Sequence, residues 1–164
     1  MSIRIAIAGI AGRMGQALVK SAGEDIAIAG GSERAGSPAL GASQGGWTVS
    51  DSAAKAAQSA DVWIDFTTPQ ASLEALDLLK LTTVKAAIIG TTGLSAAQEQ
   101  QVAEHAKRIA IVRDRNFSLG VNLMIGLVEQ VAARLGTDWD IEITEGHHRR
   151  KVDAPSGTAL MIGE

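Results

Sequence analysis

Short apolar runs alternate with segments of helical spacing along most of the chain. Ile3–Ala8 is a β-branched apolar run that ends at a glycine, which is typical of a buried parallel strand. Similar runs predict further strands at 25–30, 61–66, 84–89 and 109–112. Between the runs, the spacing of apolar residues predicts helices at 12–21, 52–59, 70–80 and 95–108, and the Gly- and Ser-rich stretch 31–50 is expected to be a loop.

Repeated β–α units of this length predict an α/β fold, a doubly wound parallel sheet of the Rossmann type with right-handed crossovers. The pattern changes after residue 117, where 118–135 reads as one long apolar helix. The alternating segment DWDIEITEG, 138–146, predicts a half-exposed strand that continues into the residues after it. We therefore expect a dinucleotide-binding domain at 1–117 and the first part of an α+β domain at 118–164.

The composition narrows the classes of function. With 164 residues, a net charge of −3 and an isoelectric point near 5.6, the chain lacks the basic balance of a nucleic-acid binder. It has no cysteine, which excludes disulfides, thiolate nucleophiles and cysteine metal sites. The N-terminus has no long apolar signal region and no run of 18 apolar residues occurs, so we expect a cytoplasmic protein that does not enter a membrane.

A glycine-rich segment, IAIAGIAGRMG, joins the first predicted strand to the first helix. Gly9, Gly12 and Gly15 recur every third residue there. A backbone without Cβ atoms, next to the positive end of a helix, suits a pyrophosphate. The usual dinucleotide fingerprint has a further glycine where Ala11 stands. The alternative is a tight turn that binds no ligand.

An acidic and a basic residue follow the second predicted strand. Glu33, 18 residues after Gly15, is suitably placed for a pair of ribose hydroxyls. Arg34 would instead meet a 2′-phosphate. The sequence therefore predicts a nicotinamide dinucleotide and leaves NADH and NADPH both open.

Two later segments lie at the ends of predicted strands, where an α/β sheet binds its ligands. In GTTG, 90–93, the hydroxyls of Thr91 and Thr92 either contact the nicotinamide half of the cofactor or belong to an ordinary glycine-bounded turn. In RNFSLG, 115–120, Asn116 either bonds a carboxamide or caps the long helix together with Ser118.

The segment EGHHRRKVDAPSGTA, 145–159, is a basic run in a mildly acidic chain. If the run continues the strand, His147 and His148 point to opposite faces and do not bind one metal ion together, so no metal site is expected. His147 suits proton transfer near neutral pH. Lys151 would donate a proton if the cations around it, among them Arg149 and Arg150, lower its pKa.

A helix start follows the basic run at DAPSGTAL, with Ser156 as its predicted cap. Cations followed by a helix N-terminus favour a small multivalent anion such as a dicarboxylate. The alternative is a solvated basic turn. Together with the glycine-rich segment, the run favours reduction of a small anionic substrate.

Five segments carry a resemblance to a known family: IAIAGIAGRMG, IDFTTP, IGTTG, NFSLGVNLM and EGHHRRKVDAPSGTA. The sequence resembles the 4-hydroxy-tetrahydrodipicolinate reductases, also called dihydrodipicolinate reductases, of lysine and diaminopimelate biosynthesis. The resemblance implies NADPH- or NADH-dependent reduction of a cyclic unsaturated dicarboxylate, and a homotetramer. It implies His147 and Lys151 as the catalytic proton-transfer residues.

The resemblance also implies the binding residues. Those expected to contact the cofactor are Gly9, Ile10, Ala11, Gly12, Arg13, Met14, Glu33, Arg34, Gly90, Thr91, Thr92, Asp114, Arg115, Asn116 and Phe117. Those expected to contact the substrate are His148, Ser156, Gly157 and Thr158.

Two features depart from the family pattern. Small residues usually precede the Asn-Phe pair, whereas Asp114 and Arg115 stand there in this chain. Family members also run considerably further than residue 164, so we expect the second domain to be incomplete. A second possible function is that of a dinucleotide-binding fragment without catalysis. A third is a regulatory anion sensor that binds its ligand at 147–158 and catalyses no reaction.

Overall fold

The computed structural model describes residues 2–149, 151 and 154–164. The chain divides between Arg113 and Asp114 into two compact units, which we call the N-terminal unit and the C-terminal unit. Each is described by itself below.

The N-terminal unit is a sheet with helices between its strands. The strands are β1 (Ile3–Ala8), β2 (Ile26–Ser32), β3 (Ser43–Gln44), β4 (Trp47–Ser50), β5 (Val62–Asp65), β6 (Ala86–Ile89) and β7 (Ala110–Arg113). Their spatial order is β3-β4-β2-β1-β5-β6-β7, and all neighbours are parallel except the β3–β4 pair. This confirms the doubly wound, Rossmann-like sheet. Because β1 lies between β2 and β5, the strand order reverses at β1, where such sheets bind ligands.

Four helices connect these strands: α1 (Arg13–Ser21), α2 (Ala53–Ala56), α3 (Pro69–Leu79) and α4 (Ala96–Ala106). Helix α4 begins with a capping box, for which Ser95 and Gln98 have the required spacing of three residues. The Ser95 hydroxyl accepts from the Gln98 N–H, and the Gln98 side chain accepts from the Ser95 N–H. Pro69 occupies the first turn of α3, where its missing N–H costs nothing.

The core consists mainly of aliphatic side chains on both faces of the sheet. Trp63 is fully buried, and so are Ile7 and Ile89 on β1 and β6. Burying side chains of this size stabilises the fold by roughly 1.5–3 kcal/mol each. The carboxyl ends of β1, β5 and β6 are therefore held by a packed interior.

The stretch 31–50 differs from the loop that the sequence predicted. It contains the end of β2 and the β3–β4 hairpin, which turns at Gly45 and Gly46 with φ of +57° and +90°. Two successive glycines with positive φ match the turn that suits a two-residue hairpin. Strands this short leave almost no alternation in the sequence, which is why the pattern did not indicate them.

The C-terminal unit contains α5 (Leu119–Leu135), a short 3₁₀ turn (Gly136–Asp138) and α6 (Gly157–Gly163). The strand predicted at 138–146 is wrong, because the structure has no strand in that segment. An alternating pattern sorts side chains to two faces, but a strand also needs a neighbour for its N–H and C=O groups. No described part of this unit provides such a neighbour.

Helix α5 presents an apolar stripe to solvent. Leu119, Leu123, Leu127, Val131 and Leu135 recur every fourth residue and are 43–76% exposed. Residues Leu119–Asp138 are long and apolar enough, at a mean hydropathy of 1.2, to cross a membrane by length and composition. A helix that packs against other protein passes the same test, so this feature is weak support for a membrane segment.

Candidate functional site

The glycine-rich loop between β1 and α1 forms an open cradle. Gly9 has a φ of +59°, which glycine adopts readily, and the Gly12 N–H donates to the Gly9 carbonyl at 2.9 Å. A Cβ on Gly12 would lie 3.0 Å from that carbonyl oxygen. Both positions therefore require the small residue that the sequence places there.

A cavity of about 550 Å³ opens beside this loop. Its lining includes Gly9, Gly12, Arg13, Met14 and Glu33, all of them predicted cofactor contacts. The size suits part of a dinucleotide, and the N-terminal end of α1 together with Arg13 suits its phosphates. The residues present thus fit a nicotinamide dinucleotide.

Two residues of the glycine-rich segment, Gly15 and Ile10, have roles inside the fold. A Cβ on Gly15 would lie 2.4 Å from the Gly9 carbonyl oxygen and 2.6 Å from the Ile10 Cα, so this glycine allows α1 to pack closely on the loop. The Ile10 side chain is 3% exposed and belongs to the core. The Ile10 N–H donates to the Ser32 carbonyl at 3.1 Å, and the Ile10 carbonyl accepts from the Gln16 side chain at 2.9 Å, so its backbone is also engaged inside the fold.

Glu33 connects the end of β2 to the cradle. Its Oε1 accepts a hydrogen bond from the Ala11 N–H at 2.9 Å. The carboxylate is thereby fixed at the rim of the cavity, where a ribose would meet it. Arg34, the next residue, is exposed to solvent.

The ends of β5 and β6 contribute residues that the sequence analysis did not assign. Phe66 and Thr67 line the cavity. A Cβ on Gly90 would lie 2.0 Å from the Phe66 ring, so the glycine is what lets this ring lie there. The only sequence signal for both residues was the IDFTTP segment directly after a buried strand.

The two threonines of the GTTG segment differ. Thr92 is exposed, whereas Thr91 is 1% exposed and its hydroxyl lies 2.8 Å from the Ser72 hydroxyl. Of the two interpretations of the Thr91 hydroxyl, the structure supports a role inside the fold, because buried polar groups already engage it.

The segment 114–117 opens the C-terminal unit. Asn116 donates through Nδ2 to the Thr158 hydroxyl at 2.9 Å, and Arg115 pairs with Glu164 at 2.6 Å. The Asp114 carboxylate accepts from the Asn116 N–H at 3.1 Å. Ser118 caps α5 by accepting from the Val121 N–H, as the second interpretation of this segment predicted. The exposed fraction of Phe117 is 41%.

The described part of the basic run, residues 145–149 and 151, does not form a strand. The Lys151 N–H donates to the His148 carbonyl at 3.0 Å, a contact that an extended strand does not make. The premise that the run continues the strand, from which His147 and His148 were placed on opposite faces, was therefore wrong. Arg150 and Asp153, which the sequence analysis also considered, lie outside the described residues.

Glu145 is the polar residue that holds this segment together, and the sequence analysis assigned it no role. Its Oε1 accepts from the Ser156 N–H at 2.8 Å, and its Oε2 lies 3.5 Å from His147 Nδ1. Hydrogen bonds from the Ser156 side chain and backbone lower the Glu145 pKa, and the positive charges of His147 and Lys151 lower it further. The carboxylate therefore stays ionised beside His147.

Helix α6 starts as the sequence predicted. The Ser156 hydroxyl accepts from the Ala159 N–H at 3.1 Å, and Ser156 is 4% exposed. The Ser156 N–H is thus bonded to Glu145 and the Ser156 hydroxyl to the first turn of α6. Gly157 and Thr158, half-buried, form its first turn.

Two family models match nearly the whole chain. Dihydrodipicolinate reductase, N-terminus, matches residues 3–117, and dihydrodipicolinate reductase, C-terminus, matches residues 120–164. The first covers the cradle and its cavity, and the second covers α5, the basic run and α6.

Curated relatives carry the name 4-hydroxy-tetrahydrodipicolinate reductase. The protein of Zymomonas mobilis is 47% identical over 99% of this chain and 61% of its own length. That of Burkholderia pseudomallei is 44% identical over 99% of this chain and 64% of its own length. The chain thus spans less than two thirds of the length of these relatives.

A solved structure gives the same result at the level of the fold. Dipicolinate-bound dihydrodipicolinate reductase from Paenisporosarcina sp. TG-14 superposes with a TM-score of 0.77 at 30% sequence identity. The match covers 99% of this chain and 64% of that one.

Proposed function

Because this chain belongs to the dihydrodipicolinate reductase family, we propose that it carries the cofactor-binding and proton-transfer residues of such a reductase. The reaction is the NADPH- or NADH-dependent reduction of 4-hydroxy-tetrahydrodipicolinate to tetrahydrodipicolinate in lysine and diaminopimelate biosynthesis, in which the hydroxyl group of the substrate leaves as water. The observation that most supports this proposal is the glycine-lined cavity. The residues that line it lie within the range matched by the family model of the N-terminal part.

The N-terminal unit would hold the cofactor. Gly9 and Gly12 leave room for the pyrophosphate at the N-terminal end of α1, and Arg13 supplies a cation. Glu33 bonds the adenosine ribose, or Arg34 binds a 2′-phosphate in its place. A nicotinamide dinucleotide supplies the hydride when it is bound. The protein supplies position and protons.

The C-terminal unit would hold the substrate. His148, Ser156, Gly157 and Thr158 bind its carboxylates. His147 and Lys151 transfer the proton that completes the reduction, with the ionised Glu145 beside His147. We further propose that the chain divides into domains at 1–117 and 118–164. We also propose a cytoplasmic location and, as the resemblance to the family implies, a homotetramer.

A fluorescence titration of the chain with NADPH and with NADH tests the proposal, repeated with pyridine-2,6-dicarboxylate present. This planar dicarboxylate is an analogue of the proposed substrate. Binding of the cofactor that tightens when the dicarboxylate is present supports the reductase. Cofactor binding that the dicarboxylate leaves unchanged supports the alternative, a dinucleotide-binding fragment. A chain that binds neither cofactor contradicts both.

A His147→Gln variant tests the assignment of the proton-transfer group. In a preparation that turns over, the variant should lose turnover by roughly 10²-fold or more, while its affinity for the cofactor stays within about twofold. An unchanged rate would contradict this role of His147. Lys151→Ala is the matched test for the second proton-transfer residue, and it should also weaken binding of the dicarboxylate.

A further inference from the structure

Asp65, at the carboxyl end of β5, is a fully buried acid. Its Oδ1 accepts from the Thr67 N–H at 2.9 Å, from the Thr67 hydroxyl at 2.6 Å and from the Thr91 hydroxyl at 3.3 Å. Its Oδ2 lies 3.5 Å from the Trp63 indole N–H. Burying a carboxylate is costly unless donors surround it, and here they do.

These hydrogen bonds join three segments of the N-terminal unit. Thr67 belongs to the loop after β5, Ser72 to the first turn of α3, and Thr91 to the loop after β6. The Thr91 hydroxyl accepts from the Thr67 N–H at 3.1 Å and lies 2.8 Å from the Ser72 hydroxyl. A buried network whose members are all paired fixes the segments that it joins.

The loop that Asp65 fixes is also a wall of the cavity. Thr67 lines the cavity, and its Cγ2 lies 3.1 Å from the position that a Cβ on Gly9 would occupy. Asp65 itself does not line the cavity. Its effect on a ligand therefore passes through Thr67, which the buried Thr91 hydroxyl also bonds.

The strand order indicates which half of a dinucleotide this wall would meet. Glu33 follows β2 on one side of β1, whereas Thr67 and Thr91 follow β5 and β6 on the other side. If Glu33 meets the adenosine ribose, the β5–β6 side meets the nicotinamide half.

We propose that Asp65 is a positioning residue, which orders the Thr67 and Thr91 loops for the nicotinamide half of the cofactor. This inference rests on the proposed function, since it requires that the cavity binds a nicotinamide dinucleotide. Asp65 makes no contact with the cofactor in this role. It holds the loops in the binding conformation before the ligand arrives, so that binding loses less conformational entropy.

The test compares Asp65→Asn with the parent chain. Asparagine has the same shape, but its NH₂ group replaces one acceptor, so one of the buried N–H or O–H donors around it loses its partner. Each protein is titrated with NADPH or NADH, whichever the parent chain binds more tightly, and with the matching ADP-ribose fragment that lacks the nicotinamide. The dissociation constant of the whole dinucleotide should rise about tenfold in Asp65→Asn, and that of the fragment by less than about twofold.

Leu79→Ala is the matched control. Leu79 is 2% exposed at the end of α3, and it lies in the same core cluster as Trp63 without lining the cavity. Its truncation lowers stability without touching the network. The control should leave the ratio of the two dissociation constants unchanged within about twofold.

A second measurement does not depend on any ligand. The amide resonances of Thr67 and Thr91, followed by NMR, should shift or broaden in Asp65→Asn and stay in place in Leu79→Ala. Unmoved resonances, or an equal loss of affinity for dinucleotide and fragment, would overturn the positioning role. If the parent chain binds neither ligand, the proposed function fails and this inference fails with it.

Discussion

The Glu145 carboxylate accepts a hydrogen bond from the backbone N–H of Ser156, 2.8 Å away, and so connects the start of the basic run to the cap of α6. The same carboxylate lies beside His147. The described residues among 145–151 form no strand, so this contact is one of those that hold the run in place.

The first prediction concerns the pH dependence of this contact. The Ser156 hydrogen bonds lower the Glu145 pKa from its ordinary value of 4.5. A carboxyl whose folded pKa is depressed stabilises the fold above its unfolded pKa, and this contribution disappears as the pH falls through the folded pKa. The Ser156 amide resonance should therefore titrate with a midpoint below 4.5. Glu145→Gln should abolish this titration, and a midpoint at or above 4.5 would contradict the contact.

The second prediction concerns cofactor choice. Glu33→Gln removes the negative charge at the rim of the cavity, which repels a 2′-phosphate and favours a bare ribose. The ratio of NADH to NADPH affinity should fall by about tenfold in this variant, and it should rise in Arg34→Ala. Titrations with both cofactors measure the ratio. Equal effects on the two cofactors would show that Glu33 does not meet the ribose.

The third prediction concerns Gly15. Gly15→Ala would bring a Cβ within 2.4 Å of the Gly9 carbonyl oxygen, so α1 must move away from the loop. We expect a loss of roughly 1–3 kcal/mol in the free energy of unfolding, measured in urea, together with weaker cofactor binding. Gly23→Ala is the control, since a Cβ there meets nothing within 4 Å. Equal stability of the two variants would contradict the close packing of α1.

The fourth prediction concerns an ion pair at the amino end of β1. The Arg4 guanidinium bonds Asp61 at 2.9 and 3.1 Å and lowers the pKa of Asp61 to about 2. This pair should stabilise the fold above the ordinary aspartate pKa of 3.8, with its contribution lost as the pH falls toward 2. Unfolding in urea at pH 6 and pH 3 measures it. Asp61→Asn should show a smaller change in stability between these pH values than the parent chain.

The sequence determined the sheet and its glycine-rich loop. The largely apolar, β-branched run Ile3–Ala8 favours a buried parallel strand, and the capping box at Ser95 marks a helix start by local chemistry alone. Backbone requirements at Gly9 and Gly12 are equally local, since they depend on φ and on the nearest carbonyl. The family resemblance also came from contiguous segments, which the two family models match.

Only the tertiary structure decided which polar groups meet. Thr91 lies 19 residues after Ser72 and 26 residues after Asp65, and nothing in this spacing indicates that the three side chains share hydrogen bonds. The sequence therefore left open whether the Thr91 hydroxyl meets a ligand or the fold, and its burial supports the fold. The segment 138–146 alternates as a strand does, yet it forms none, because pairing depends on a neighbour that the pattern of one segment does not specify. Local rules predict the main strands and helices of the N-terminal unit, whereas contacts between distant residues decide strand pairing and the polar network.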